Sequence, residues 1–282
     1  MDGTHSTPDT EALAIDITQS AGCLRRHRNL YAAQRRLSEK GSAVAAVVVA
    51  ILDRDNWTAN TDIIVVVDAD KRRLVWVPRD LWSPLVNDRV NAAFAKGGGG
   101  LLLNALAELG LAAGSVLCLR RAASEAALEG ASVTIPVSEP LDFWYPVTPT
   151  SRIEDGRVEV SFRPPGETLS GVRLHQWIGA RTMVNGKGTD FHRMKRQTVF
   201  LRALIAQGFD FRRALKDPEL VNIHGEDPLP LLARVSANWR MQLHDWVADA
   251  VVDGKMVLVQ RKPKPWWRRH LRRLRLALKR HR

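Results

Sequence analysis

Long apolar runs are missing from this sequence. A membrane-spanning helix needs roughly 18–20 apolar residues in a row, and the best run, AVAAVVVAIL at Ala43–Leu52, is about half that. It follows a basic region, as the core of a signal peptide would. It starts late, however, and DRDN follows it where a cleavage site would place small residues, so it reads as a buried strand. Cysteine is scarce too. Cys23 and Cys118 stand far apart, which excludes a disulfide scaffold and a zinc finger and leaves two neutral thiols. The eight histidines form no HExxH or other paired spacing, which argues against zinc. No Ser, Thr or Cys stands in a nucleophile motif such as G-x-S-x-G, which argues against covalent hydrolase chemistry. KGGGG at Lys96–Gly100 lacks the strand and the Gly-Lys-Ser/Thr of a P-loop and reads as a joint between helices. Finally, no Asp or Glu occurs from Arg261 onward. Eleven of the Lys and Arg residues lie there, so most of the net charge of +12 belongs to the tail and the rest is close to neutral.

What is present is enough for a sizeable core: 282 residues, 45% of them hydrophobic. MDGTHSTPDT reads as a loose terminus and Glu11–Lys40 as helical, making residues 1–41 a partly helical extension. From there the texture changes. After AVAAVVVAIL come TDIIVVVDAD and RLVWVP, two strand-like runs separated by polar Asp68–Arg72, which predicts a hairpin closed by Pro78. Asp88–Ala95 has helical composition with Asp88 as N-cap. The glycines interrupt it, and Leu101–Leu109 form a second helix ended by Gly110. Ser115–Leu119, Ser132–Val137, Arg157–Phe162 and Lys255–Gln260 read as strands, and the proline-rich Pro136–Pro165 stretch as mostly loop and edge strand. Asp190–Gln207 is the clearest helix, with an apolar stripe of Met194, Phe200, Leu201, Leu204 and Ile205, and Pro228–Val252 reads as two more helices. Irregular alternation of strands and helices with at least one hairpin gives an α/β class with a mixed sheet.

Three segments have the residue types for phosphate chemistry. Antiparallel pairing of the two hairpin strands brings Asn60-Thr61-Asp62 and Pro78-Arg79-Asp80 to one edge. Spacing alone reads Asp62 and Asp80 first as strand-end carboxylates facing water. The sharper reading is a shared hard cation such as Mg²⁺, which also bridges to phosphate. In DFHRMKRQ, Arg193 and Gln197 lie four apart on one helix face with Arg196 alongside. That is either a solvated face or a phosphate cradle. Direct displacement at phosphorus needs little beyond such groups and a metal.

In order, the buried strand AVAAVVVAIL, NTDIIVVVDAD, RLVWVPRD, DRVNAAFAKGG and RTMVNGKGTDFHRMKRQTVFLRALIAQG resemble the LytR-CpsA-Psr family. LLARVSANWRMQLHDWVADAV resembles that family's C-terminal helices. The resemblance covers residues 42–260 as one catalytic domain. It implies an α/β/α sandwich around a central mixed sheet, and transfer of a phosphate-linked glycopolymer from a polyprenyl-diphosphate carrier to a cell-wall or polysaccharide hydroxyl. It also implies a greasy pocket for the lipid chain and a Mg²⁺ site. Carried over by motif, Asp62 and Asp80 hold the metal or one acts as base, with Arg79 beside them. Arg89 approaches the pyrophosphate from one side, and Arg181, Arg193 and Gln197 from the other. The sequence departs from the pattern at Gly179-Ala180-Arg181, where Arg-x-Arg is usual, and in two extra residues before Asp190. The usual glycine pair is blurred into EGASVTIPV, and the usual N-terminal anchor is absent. The alternative is therefore a non-catalytic polyprenyl-phosphate-binding, membrane-binding or regulatory member.

The tail, residues 261–282, reads as a basic amphipathic helix. Trp267, Leu271, Leu274 and Leu278 make one stripe, Trp266 adjoins it, and arginines fill the other face. That is the pattern of an interfacial helix on an anionic membrane. Docking on the domain is the second reading. Nucleic acid is the least favoured partner, since it needs neither tandem tryptophans nor a continuous apolar stripe. The expected location is thus a membrane surface, held peripherally.

Overall fold

The computed structural model describes residues 46–148, 151, 153–186, 190–244 and 247–260. The extension 1–41 and the tail 261–282, with Trp266, Trp267, Leu271, Leu274 and Leu278, lie outside the described residues.

A six-stranded mixed sheet forms the centre. Its order is β12 (Val221–Gly225), β6 (Ser115–Leu119), β1 (Ala46–Leu52), β2 (Thr61–Asp68), β3 (Arg73–Val77) and β13 (Arg240–Leu243). β1 runs parallel to β6 and antiparallel to β2, and β3 runs parallel to β13. β-Branched runs suit strands covered on both sides, and both sides are covered. On one face Val48, Ala50, Ile64, Val66, Val75 and Val77 pack with Phe94, Leu102 and Leu106 of α1 (Ala92–Glu108). On the other, Val65, Val67, Leu74 and Trp76 meet Met194, Leu201 and Ile205 of α4 (Asp190–Ala206), and Leu117 and Leu119 meet Ala123 of α2 (Arg121–Leu128). This is the α/β/α sandwich, and each buried Val, Leu or Ile contributes about 1.5–3 kcal/mol.

A smaller β layer joins α4 from its far side. It comprises β7 (Ser132–Pro136) with β10 (Gly166–Ser170), and β8 (Leu141–Pro146) between β9 (Arg157–Phe162) and β11 (Thr182–Met183). With α3 (Val172–Gly179) these strands enclose a core of Val133, Ile135, Phe143, Phe162 and Trp177, closed by Phe200 and Leu204. The helix stripe thus serves two cores: Met194, Leu201 and Ile205 face the sheet, while Phe200 and Leu204 face the smaller layer.

The β2–β3 hairpin forms as its turn residues predict. The Asp68 carboxylate accepts from the Lys71 amide, Lys71 Nζ and Arg73 Nε. The glycine joint also forms. Gly98, at φ 62°, kinks α1 where DRVNAAFAKGG ends. The close approach these glycines allow is to His224 of β12, since a Cβ added at Gly99 would stand 2.5 Å from that of His224.

Three expectations are corrected. Asp88 does not cap α1. It lies in β5 (Asp88–Arg89), paired with β4 (Trp82–Ser83), and its carboxylate takes the Arg89 amide and Lys96 Nζ, while α1 starts after Asn91. Leu141–Pro146 is the central strand of its sheet rather than loop or edge strand, paired along its length with β9 and at Phe143 and Trp144 with β11. Among the described residues, Pro228–Val252 holds one helical turn, α5 (Leu229–Leu232), followed by β13 and by β14 (Val247–Val252), which pairs with β15 (Lys255–Gln260). Asp253 and Gly254 both sit at positive φ, as a two-residue hairpin turn requires. That Asp-Gly signal outweighs the helical composition before it.

Candidate active site

The edge of the sheet where β2 begins and β3 ends is held by a lattice of backbone bonds. The Thr61 amide donates to Asn91 O (3.0 Å), the Asn91 amide to Arg79 O (3.1 Å), the Val90 amide to Leu81 O (2.7 Å) and the Leu258 amide to Asp80 O (2.9 Å). Thr61 is fully buried. Asp62, Arg79 and Asp80 are therefore fixed by their own neighbours' main chain, from α1's entrance on one side and β15 on the other. The β4–β5 hairpin folds back through its Pro84–Asn87 turn and returns Arg89 to Asp80.

On this frame the side chains converge. Arg79 Nη1 donates to Asp62 Oδ1 at 2.5 Å, and its Nε lies 4.0 Å from Asp80 Oδ2. Arg89 Nη1 is 3.5 Å from Asp80 Oδ1, and Arg89 Nη2 donates to Met256 O at 2.7 Å. Arg193, from the first turns of α4, reaches Asp62 Oδ1 at 3.6 Å. Three guanidiniums against two carboxylates leave the cluster net positive. It is neither sealed nor bathed in water, with 12% of the Arg193 side chain exposed and 36% of Arg89. Electrostatics in so partly desolvated a setting are stronger than at an open surface.

Gln197 and Arg196 do something else. Gln197 is buried and its Nε2 donates to Ile178 O (3.1 Å). Buried Arg196 donates to Trp177 O (3.3 Å) and to Ala180 O, with its guanidinium 4.2 Å from the Phe143 ring. Burial, and next Arg193, pull its pKa down to about 10. These two side chains satisfy the last carbonyls of α3, which have no partner within that helix. The structure thus separates Gln197 from the arginine cluster with which one-face spacing grouped it. Arg181 is exposed in the link between α3 and β11, one residue past the Ala180 that Arg196 holds. Sequence reasoning missed this capping role, and it missed β15 as the buttress of Asp80 and Arg89. No local pattern announces either, because both are contacts between distant segments.

Among the described residues no group of three or more His, Cys, Asp or Glu gathers as a metal cage. Asp62 and Asp80, two hard-oxygen donors bridged by one guanidinium, do suit a cation that takes one or two carboxylates and completes its shell from water and phosphate. A polar depression at the β1–β2 loop, lined by Asp53, Arg54, Asn56, Thr58, Ala59 and Asn60, is not the greasy pocket that the resemblance implies.

The sequence matches the LytR_cpsA_psr family over residues 26–226, and the chain belongs to that family. Solved structures share its fold. Streptococcus agalactiae protein gbs0355 superposes with a TM-score of 0.55 at 16% identity, over 76% of this chain and 82% of its own. TagV of Bacillus subtilis gives 0.52 at 17%, over 84% and 96%. TagT, solved bound to LI-WTA, gives 0.52 at 17%, over 78% and 85%. No curated relative matches at a significant level. Family members are in general membrane-associated transferases of cell-wall glycopolymers. Among the described residues no helix is long and apolar enough to cross a membrane.

Proposed function

We propose that this protein moves a phosphate-linked glycopolymer from a polyprenyl-diphosphate carrier to an acceptor hydroxyl of the cell wall or of a polysaccharide. The observation that carries this reading is the convergence of Asp62, Arg79, Asp80, Arg89 and Arg193 from four separate segments, in a chain of this family. Without ligand the two carboxylates offset only part of the arginines' charge. An entering diphosphate offers the arginines a better-matched partner and frees the carboxylates. Arg79, Arg89 and Arg193 then hold the diphosphate, with exposed Arg181 approaching from α3. The acceptor oxygen attacks the phosphorus that bears the glycan. A new O–P bond forms, the anhydride P–O bond breaks, and polyprenyl phosphate leaves with its charge stabilised by the arginines. Asp62 or Asp80 takes the hydroxyl proton. Mg²⁺ on these two aspartates would supply further charge neutralisation at phosphorus. Residues 261–282, through Trp266, Trp267, Leu271, Leu274 and Leu278, would hold the protein at an anionic membrane surface.

The test is glycan transfer from a detergent-solubilised polyprenyl-diphosphate carrier. Arg193→Ala and Asp80→Ala are expected to lower the rate about 10²–10³-fold each, and chelation of Mg²⁺ to abolish transfer. Full activity in both variants sinks the site assignment.

A second reading is favoured by Gly179, which stands where the family usually has arginine. In it the chain binds polyprenyl phosphates without turnover. A Cβ at Gly179 would touch the Tyr145 ring at 3.5 Å, an ordinary contact, so Gly179→Arg is sterically accessible. Binding without turnover in both the wild type and Gly179→Arg supports this second reading.

A further inference from the structure

Buried tyrosine hydroxyls usually find a hydrogen-bond partner. Tyr145, on the inward face of β8, is 7% exposed and packs into the core of the smaller layer. Among the described residues its hydroxyl nevertheless takes part in no hydrogen bond. The phenol points at the end of α3, where a Cβ added at Gly179 would stand 3.5 Å from the hydroxyl oxygen. Gly179 is itself exposed. Any larger residue would start against the hydroxyl, and glycine leaves that approach open.

The surroundings of this hydroxyl belong to the candidate site. The β8–β11 register, with Trp144 opposite Thr182, brings the backbone of Arg181 level with Tyr145. Ala180, next to Gly179, holds Arg196 of α4. Arg193 lies three residues earlier, about 4.5 Å along the helix axis. Arg121 follows β6 at the same sheet edge as Asp62, since Leu119 pairs with Ile51 and Leu52 with Thr61. The two carboxylates on this side are both engaged. Glu125 pairs with Arg121 at 2.7 Å, and Asp55 accepts the Ala122 amide at 2.6 Å. Burial raises the pKa of Tyr145, against an opposing pull from Arg121, so the phenol is protonated at neutral pH and able to donate.

We propose that Tyr145 is a diphosphate-binding residue, whose hydroxyl donates across Gly179 to a phosphate oxygen of the carrier, beside Arg181. The inference rests on the polyprenyl-diphosphate reading of the site and adds a neutral donor to its arginines. A hydroxyl donating to an anionic oxygen makes a stronger bond than one donating to a neutral acceptor. The ring is already fixed by the core around it, so binding costs it little rotamer freedom. Where the family usually has an arginine at position 179, this chain presents the phenol instead.

The experiment is calorimetric titration of the full chain with farnesyl diphosphate, a short soluble polyprenyl diphosphate, in the presence of Mg²⁺, with thermal unfolding in parallel. Tyr145→Phe removes one oxygen and keeps the ring in the core. It is expected to weaken binding about tenfold with the melting temperature unchanged, because no internal hydrogen bond is lost. Gly179→Leu, which covers the hydroxyl, is expected to weaken binding by a similar factor. Combined with Tyr145→Phe it adds nothing, because both remove the same contact. Arg193→Ala, run alongside, reads the underlying site. If Arg193→Ala weakens binding and Tyr145→Phe does not, the tyrosine proposal is overturned and the diphosphate reading stands. A lowered melting temperature with unchanged binding in Tyr145→Phe makes the hydroxyl structural and overturns the proposal as well. No weakening in either Arg193→Ala or Tyr145→Phe, or no binding by the wild type, overturns both readings.

Discussion

Asp68 shows how a single residue fixes local structure here. Burial raises its pKa, but hydrogen bonds from the Lys71 amide, Lys71 Nζ and Arg73 outweigh this, and the net shift is downward. A carboxylate whose folded pKa lies below its unfolded value stabilises the fold above the unfolded pKa, about 3.9, and loses that contribution as pH falls through the folded value. Asp68→Asn is therefore expected to cost on the order of 1 kcal/mol at neutral pH, with the difference from wild type shrinking in acid. Urea denaturation at several pH values checks this. Cys118 makes the complementary case. Burial in β6 pushes its thiol up to about 12, so the native protein is expected to leave Cys118 unlabelled by iodoacetamide while unfolded chain reacts. Mass spectrometry of the labelled peptide reads this directly. At this scale much was legible. Asp68 in its turn, Pro78 at a strand end and Gly98 at a kink follow from backbone preferences that a residue carries wherever it sits. The neighbours of Arg89 and Asp80 were not, because Met256 and Leu258 lie far along the chain.

Among the elements, α4 carries the most consequence. One of its turns gives Arg193 to the cluster, and the next gives Arg196 and Gln197 to the end of α3. Helical spacing placed all three near one another but not on different partners, since the direction of a buried polar group depends on what packs against it. Two roles for Gln197 make opposite predictions. As a cap, Gln197→Ala leaves the Ile178 carbonyl unsatisfied and is expected to destabilise the protein by about 1 kcal/mol. As a diphosphate ligand, it would leave stability alone and raise KM. Thermal unfolding beside steady-state kinetics separates them, and the observed hydrogen bond predicts the first. Glycine in α1 gives a further case. Gly98→Ala forces a side chain to φ 62° and is expected to cost about 1 kcal/mol. The strands were legible from β-branched runs buried on both faces. The segment after Pro228 was not, because its composition suits a helix while the Asp253-Gly254 turn and the free edge of β3 recruit it into strands.

For the whole molecule, the sandwich explains why acid and base from distant segments share one edge. The hairpin β2–β3 sets Asp62 against Arg79, the small β4–β5 hairpin returns Arg89, and α4 crosses the opposite face of the sheet to deliver Arg193. Charge separates on the same scale, with a near-neutral domain and a strongly cationic last stretch. In the proposed reading this distribution suits a ligand with an anionic head and a surface of anionic lipid. In the proposed function the arginines exchange their aspartate partners for a diphosphate. A crystal structure of the protein soaked with a polyprenyl diphosphate and Mg²⁺ tests this most directly. The expected result is both phosphates within hydrogen-bond reach of Arg79, Arg89 and Arg193. A diphosphate bound elsewhere, with Arg79 still on Asp62 and Arg89 still on Asp80, would contradict it.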